Sequence, residues 1–178
     1  MITNFKRTEK KYLPEFVYGG IDGAVTTFAV VSGSIGAALS PIVILILGFA
    51  NLFADGFSMA SASYLSAKSS IDLHPRRMKR SSGLSPFKSG MAIFLSFLVV
   101  GFVPLISFVL ATFNKSLVPY QFTLSIILTG LAFFIVGLFK GEIVKKHPLW
   151  SAFETLVIGG IAAILAFLVG YALKNIIL

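Results

Sequence analysis

The chain has 178 residues, 56% of them hydrophobic and 12% charged, with a formal net charge of +8 and a mean hydropathy of +0.91. A soluble domain of this size would expose far more charge, so the composition is that of an integral membrane protein. Cysteine is absent, which excludes disulfides and thiolate metal centres.

The first fifteen residues are polar and basic, carrying Lys6, Arg7, Lys10 and Lys11. No short apolar segment with a small-residue cleavage site follows them, so a cleaved signal peptide is not expected. Five apolar runs then follow at about 20 residues per crossing. They are Phe16–Leu39, Ile42–Leu65, Gly90–Phe113, Phe122–Phe139 and Trp150–Leu173. The Ser40–Pro41 turn between the first two is so short that they must form an antiparallel hairpin. Pro104 falls inside the third run and predicts a kink there, because proline cannot donate an i→i−4 hydrogen bond.

The expected fold is therefore all-α, with a basic N-terminal segment at 1–15 and a five-helix transmembrane domain at 16–178. A short basic loop at 67–89 joins the second and third spans. Of the fifteen Lys and Arg residues, all but Lys115 and Lys174 fall on one side of this arrangement. The positive-inside rule puts that side in the cytoplasm, with the N-terminus inside and the C-terminus outside. The charge is thus a topology signal and a source of attraction to anionic headgroups. Nucleic acid is not an expected partner.

Seven acidic residues are present in all, and two of them, Asp22 and Asp55, are placed at membrane depth. A charge there costs roughly 2.5–3.5 kcal/mol on insertion scales, which makes such residues functional candidates. On the second span Asn51, Asp55 and Met59 follow at four-residue spacing and share one helix face, a stripe about 12 Å long. On the first, Thr26 lies one turn beyond Asp22. Glu154 lies about one turn inside the fifth span. Antiparallel geometry is expected to bring Asp22, Met59 and Glu154 to similar depths in the cytoplasmic half. Oxygen ligands of this kind suit hard or borderline divalent cations, and a thioether adds preference for the softer transition metals. Gly19 and Gly23, like Gly137 and Gly141, form small-xxx-small pairs that permit close helix approach, within the chain or across a dimer. There is no nucleophile–His pair, phosphate-binding glycine loop or ATP motif, so neither an enzyme nor an ATP-driven pump is expected, and no cofactor.

Several motifs carry a family resemblance. Tyr18-Gly-Gly-Ile-Asp-Gly-Ala-Val-Thr-Thr-Phe-Ala-Val-Val-Ser-Gly33 resembles the first-span signature of the vacuolar iron transporter family. Asn51-Leu-Phe-Ala-Asp-Gly-Phe-Ser-Met-Ala60 resembles its second span, as does Tyr64-Leu-Ser-Ala-Lys-Ser69. Ser85–Gly90, Phe94–Phe97, Gly101–Pro104, Phe139–Gly141 and Glu154–Gly160 resemble later parts. The resemblance implies a homodimeric exporter of Fe²⁺ or Mn²⁺ driven by proton antiport. It implies also that Asp22 and Met59 line the ion path near the dimer interface. Two departures accompany it. Better-known members have an acid where this chain has Asn51. Iron-transporting relatives insert a long Glu-rich cytoplasmic domain between the second and third spans, where this chain has a short stretch with one acid, Asp72.

The reading is thus of a metal exporter whose ion ligands are Asp22, Asn51, Asp55 and Met59, with Glu154 as a proton carrier or a ligand at the cytoplasmic mouth. Its partners are the divalent ion, protons, the lipid bilayer and a second copy. The expected location is a prokaryotic plasma membrane, or a vacuolar-type membrane in a eukaryote. The alternative is a non-transporting membrane scaffold whose polar residues hold helices together.

Overall fold

A computed structural model describes residues 2–73 and 85–177. The helices are α1 (Ile2–Gly36), α2 (Pro41–Leu73), α3 (Pro86–Gly101), α4 (Val103–Phe113), α5 (Gln121–Val144) and α6 (Pro148–Ile177), with a 3₁₀ segment at Lys115–Tyr120. No strand occurs among the described residues. Four stretches, Tyr12–Gly36, Pro41–Leu73, Lys115–Val144 and Pro148–Ile176, are each long and apolar enough to cross a membrane, and α3 with α4 supplies a fifth, bent crossing.

Proline marks where helices start. Pro41, Pro86 and Pro148 each open a helix, the position where a missing N–H is harmless and a fixed φ is useful. The residue before each accepts the first helical bond: Ile44 N to Ser40 O, Ser89 N to Ser85 O and Ser151 N to His147 O, all at 3.0–3.1 Å. α1 ends in a left-handed residue, Ala38 at φ 57°, and Leu39 N reaches back to Ser34 O at 2.9 Å. That reversal satisfies the last carbonyls and turns the chain directly into α2.

Two expected boundaries differ. The basic segment 1–15 is helical from Ile2 and continuous with the first span. The expected loop 67–89 is helical at both ends, since α2 continues to Leu73 and α3 begins at Pro86. The end of α2 is polar, and Ser70 Oγ bonds the Ser66 carbonyl at 3.0 Å. A solvated helix there keeps its backbone bonds without apolar burial, so hydropathy does not register it. His74, Arg76, Arg77, Lys79 and Arg80 lie outside the described residues.

The third crossing is broken near Pro104, with α3 and α4 inclined by 47°. Ser125 Oγ on α5 donates to the Pro104 carbonyl at 2.7 Å, tying the break to its neighbour.

α1 is the central helix, packed against α2, α3, α5 and α6. The core lies around Val31, Ile44, Leu52, Phe97, Leu105 and Phe108. Close approach depends on glycine. A Cβ on Gly23 would lie 2.5 Å from the Phe97 carbonyl oxygen, and those on Gly137 and Gly141 would lie 2.6 Å from the Cα atoms of Ala152 and Pro148. Both small-xxx-small pairs are therefore used inside the chain, Gly19/Gly23 against α3 and Gly137/Gly141 against α6.

Candidate metal path between the first two helices

Asp22 and Asp55 face each other across the α1–α2 seam. The approach of Asn51 to Thr26, each four residues from one of the acids, puts them at the same level, and both side chains are half-buried. Neither has a basic partner, since the one ion pair among the described residues joins Lys140 to Glu154. Two unpaired carboxylates at membrane depth repel each other and are poorly solvated, a combination that a cation or a proton relieves.

The hairpin fixes their register. Because α1 and α2 run antiparallel, Thr26 (four residues after Asp22) and Asn51 (four before Asp55) come to the same level, one turn beyond the acids. Asn51 Nδ2 lies 3.5 Å from both Thr26 Oγ1 and Thr27 Oγ1, at the outer limit of hydrogen bonding. Thr26 Oγ1 itself donates to the Asp22 carbonyl at 2.9 Å, which leaves its lone pairs free to accept. Asn51 also lines an open groove of about 460 Å³ between α1, α2 and α6, with Val30, Gly33, Leu47 and Gly170.

The other two expected ligands are placed differently. Met59 is partly buried against the core cluster that contains Phe97. Glu154 Oε2 accepts from Lys140 Nζ at 3.0 Å across α5 and α6, both side chains being substantially exposed. Among the described residues no three acidic or histidine side chains come together as a metal cluster. Of the expected grouping of Asp22, Met59 and Glu154, the glutamate is engaged by Lys140, whose charge the sequence presents as a topology signal.

Hydropathy does not mark a further buried carboxylate. Glu15 on α1 is seven residues before Asp22, about two turns or roughly 10 Å along the same face. Its Oε1 accepts from the buried Ser89 Oγ of α3 at 2.9 Å. Its Oε2 is buried without a hydrogen-bond partner among the described residues. The seven-residue spacing was a usable signal, obscured because Glu15 falls within the basic segment. Nearby, Ser85 N donates to Tyr12 Oη at 3.0 Å, so α1 is fastened to the first turn of α3 at two points.

A further feature is the exposed side of α2. Ala50, Ala54, Ser58 and Ala62 recur every four residues and are all exposed, bordering Asn51 and Asp55. Small residues in this spacing are what close helix association in a membrane requires.

The fold and site together define an α-helical integral membrane protein with an uncompensated acidic pair between its first two crossings. A protein-family model described as the VIT family matches residues 13–83 and 74–171, and the chain belongs to that family. It is 28% identical over 229 aligned positions to the vacuolar iron transporter of Plasmodium berghei (strain Anka), covering 94% of this chain and 84% of that protein. It is 26% identical over 217 positions to vacuolar iron transporter 1 of Arabidopsis thaliana, with 90% and 85% covered. It is 31% identical over 160 positions to vacuolar iron transporter homolog 4 of Arabidopsis thaliana, with 84% and 77% covered. The first alignment has more positions than this chain has residues, so the relative carries extra residues within the matched region. The two family segments meet at 74–83, in the connector between the second and third crossings.

Proposed function

We propose that this protein exports a divalent transition metal ion, Fe²⁺ or Mn²⁺, from the cytoplasm by proton antiport, working as a homodimer. The observation that carries the reading is the pair Asp22 and Asp55, level with each other on adjoining helices, half-buried and without a basic partner among the described residues. Asn51 supplies a neutral oxygen one turn away, and Met59 a thioether one turn to the other side, so the donor set is mixed and suits the borderline metals. The carboxylates would exchange a metal ion for protons as the path opens to either side. Glu154 stands outside this ligand set because Lys140 neutralises it.

The homologues named vacuolar iron transporter support metal as the cargo. The clustering of basic residues supports a cytoplasmic N-terminus, in a prokaryotic plasma membrane or a eukaryotic vacuolar-type one. The exposed small-residue side of α2 supports a dimer in which the two acidic seams approach one another. Reconstitution in proteoliposomes with an imposed proton gradient tests the reading: Mn²⁺ or Fe²⁺ should move, and the flux should depend on the gradient.

A second reading, a scaffold without transport, draws on the contacts of Asn51 with Thr26 and Thr27, which also serve to hold α1 against α2. Asp22→Asn separates the two. Loss of flux with dimer and fold intact supports the ion path, whereas loss of the assembly supports the scaffold.

A further inference from the structure

A crevice of about 520 Å³ opens on the lipid-facing side of the bundle between α2 and α3. Its walls are Phe57, Tyr64 and Leu65 from α2 with Phe87, Met91 and Phe94 from α3. It exists because Gly90 lies against α2: a Cβ there would be 2.7 Å from the Ala60 carbonyl oxygen, and no side chain fills the space above it. From Phe57 to Leu65 it runs about 12 Å along α2 at 1.5 Å per residue. It is apolar, with room for a hydrocarbon chain and too little for a packed helix.

One end of this crevice is charged. Gly56 meets Phe94 and Phe97, and Gly90 meets Ala60 and Tyr64, so α2 and α3 run antiparallel with Leu65 and Phe87 at the same level. Lys68 lies one turn beyond Tyr64 on α2, and Lys88 is next to Phe87 in the first turn of α3. Both are exposed, and neither is in an ion pair among the described residues. α2 has 33 residues, about 50 Å of helix against roughly 30 Å of hydrocarbon. Its last turns, Lys68 included, therefore stand at headgroup level when its apolar start is in the bilayer.

We infer that this crevice binds one acyl chain of an anionic phospholipid, whose phosphate is held by Lys68 and Lys88. The apolar walls take the chain, and the two ammonium groups select the headgroup. The inference goes beyond the transport reading and does not depend on it. It also gives α2, which carries Asp55 and Met59, a lipid brace on its flank.

The test uses the full chain in nanodiscs of phosphatidylcholine with a minority of phosphatidylglycerol, counting by mass spectrometry the lipid retained after exchange into detergent. The wild type should retain phosphatidylglycerol in preference, by about fivefold for each lysine at headgroup level. The double variant Lys68→Gln/Lys88→Gln should lose that preference while still retaining lipid. Arg76→Gln/Arg77→Gln, which removes the same charge from the adjoining connector, should keep it. Ala60→Phe, which fills the crevice, should lower retained lipid of both headgroups; should it fail to fold, Met91→Trp serves the same purpose. Equal retention of the two lipids by wild type, or equal loss in both charge variants, overturns the inference. So does a Ser61→Cys variant that crosslinks efficiently between two copies, since a second protomer would then occupy the crevice.

Discussion

Asn51 Nδ2 on α2 lies 3.5 Å from Thr26 Oγ1 on α1, one helical turn beyond the level at which Asp55 faces Asp22. This amide occupies the position where the resemblance leads one to expect an acid. The chain thus has two carboxylates and a neutral oxygen along its seam where a third charge is expected. Asn51→Asp should strengthen metal binding and lower the transport KM by about tenfold, the ~1.4 kcal/mol at the low end for a hydrogen bond or ligand contact to a charged group. An unchanged KM would remove Asn51 from the path.

The Lys140–Glu154 pair leads to the opposite expectation. It is a solvent-accessible bridge at 3.0 Å, and such pairs contribute little to stability. Glu154→Gln should leave the melting temperature nearly unchanged and the flux within about twofold of wild type. A collapse of flux in this variant would restore Glu154 to the metal or proton path.

Packing at Gly23, the residue after Asp22, is tight. Gly23→Leu must push α1 from α3, because even a methyl would meet the Phe97 carbonyl oxygen at 2.5 Å. The expected loss is about 1–3 kcal/mol or more, read as a lowered melting temperature in detergent. Gly160→Ala, which adds a methyl with nothing within 4 Å, is the matched control and should melt like wild type.

In the proposed dimer, two copies meet through the exposed side of α2. Cysteine at Ala54 or Ser58 should crosslink between protomers in the membrane, and Ala50→Phe with Ala54→Phe should shift the protein toward monomer on size exclusion. Crosslinking that is equally efficient from Val169→Cys, on the exposed side of α6, would mean that α2 is not the preferred contact.

Much of this was legible in the sequence for a physical reason. Membrane depth imposes a strong apolar signal, and the Ser40–Pro41 turn forces a hairpin; its register is another matter, since span counting sets Asp22 level with Met59, whereas the approach of Asn51 to Thr26 sets it level with Asp55. Asn51 and Asp55 share a face by helical period alone. What could not be read is which neighbour satisfies a group at a helix margin. Glu154 is bonded by Lys140 on α5, and the pairing of α5 with α6 is not encoded in either helix's period. Glu15 was hidden for a related reason. Its buried contact with Ser89 joins segments 74 residues apart, and hydropathy shows only a polar residue next to a basic stretch. The glycine pairs announced close packing but not the partner, which is the chain's own α3 and α6.

In the proposed mechanism Asp22 and Asp55 together hold the transported ion. The most direct measurement is uptake of Mn²⁺ or Fe²⁺ into proteoliposomes under a proton gradient, comparing wild type with Asp22→Asn and Asp55→Asn at equal incorporation. Gradient-dependent flux in wild type that falls to the protein-free level in both variants, with dimer and melting temperature retained, is the predicted result. Flux that persists in either variant, or no flux in wild type for either metal, would contradict it.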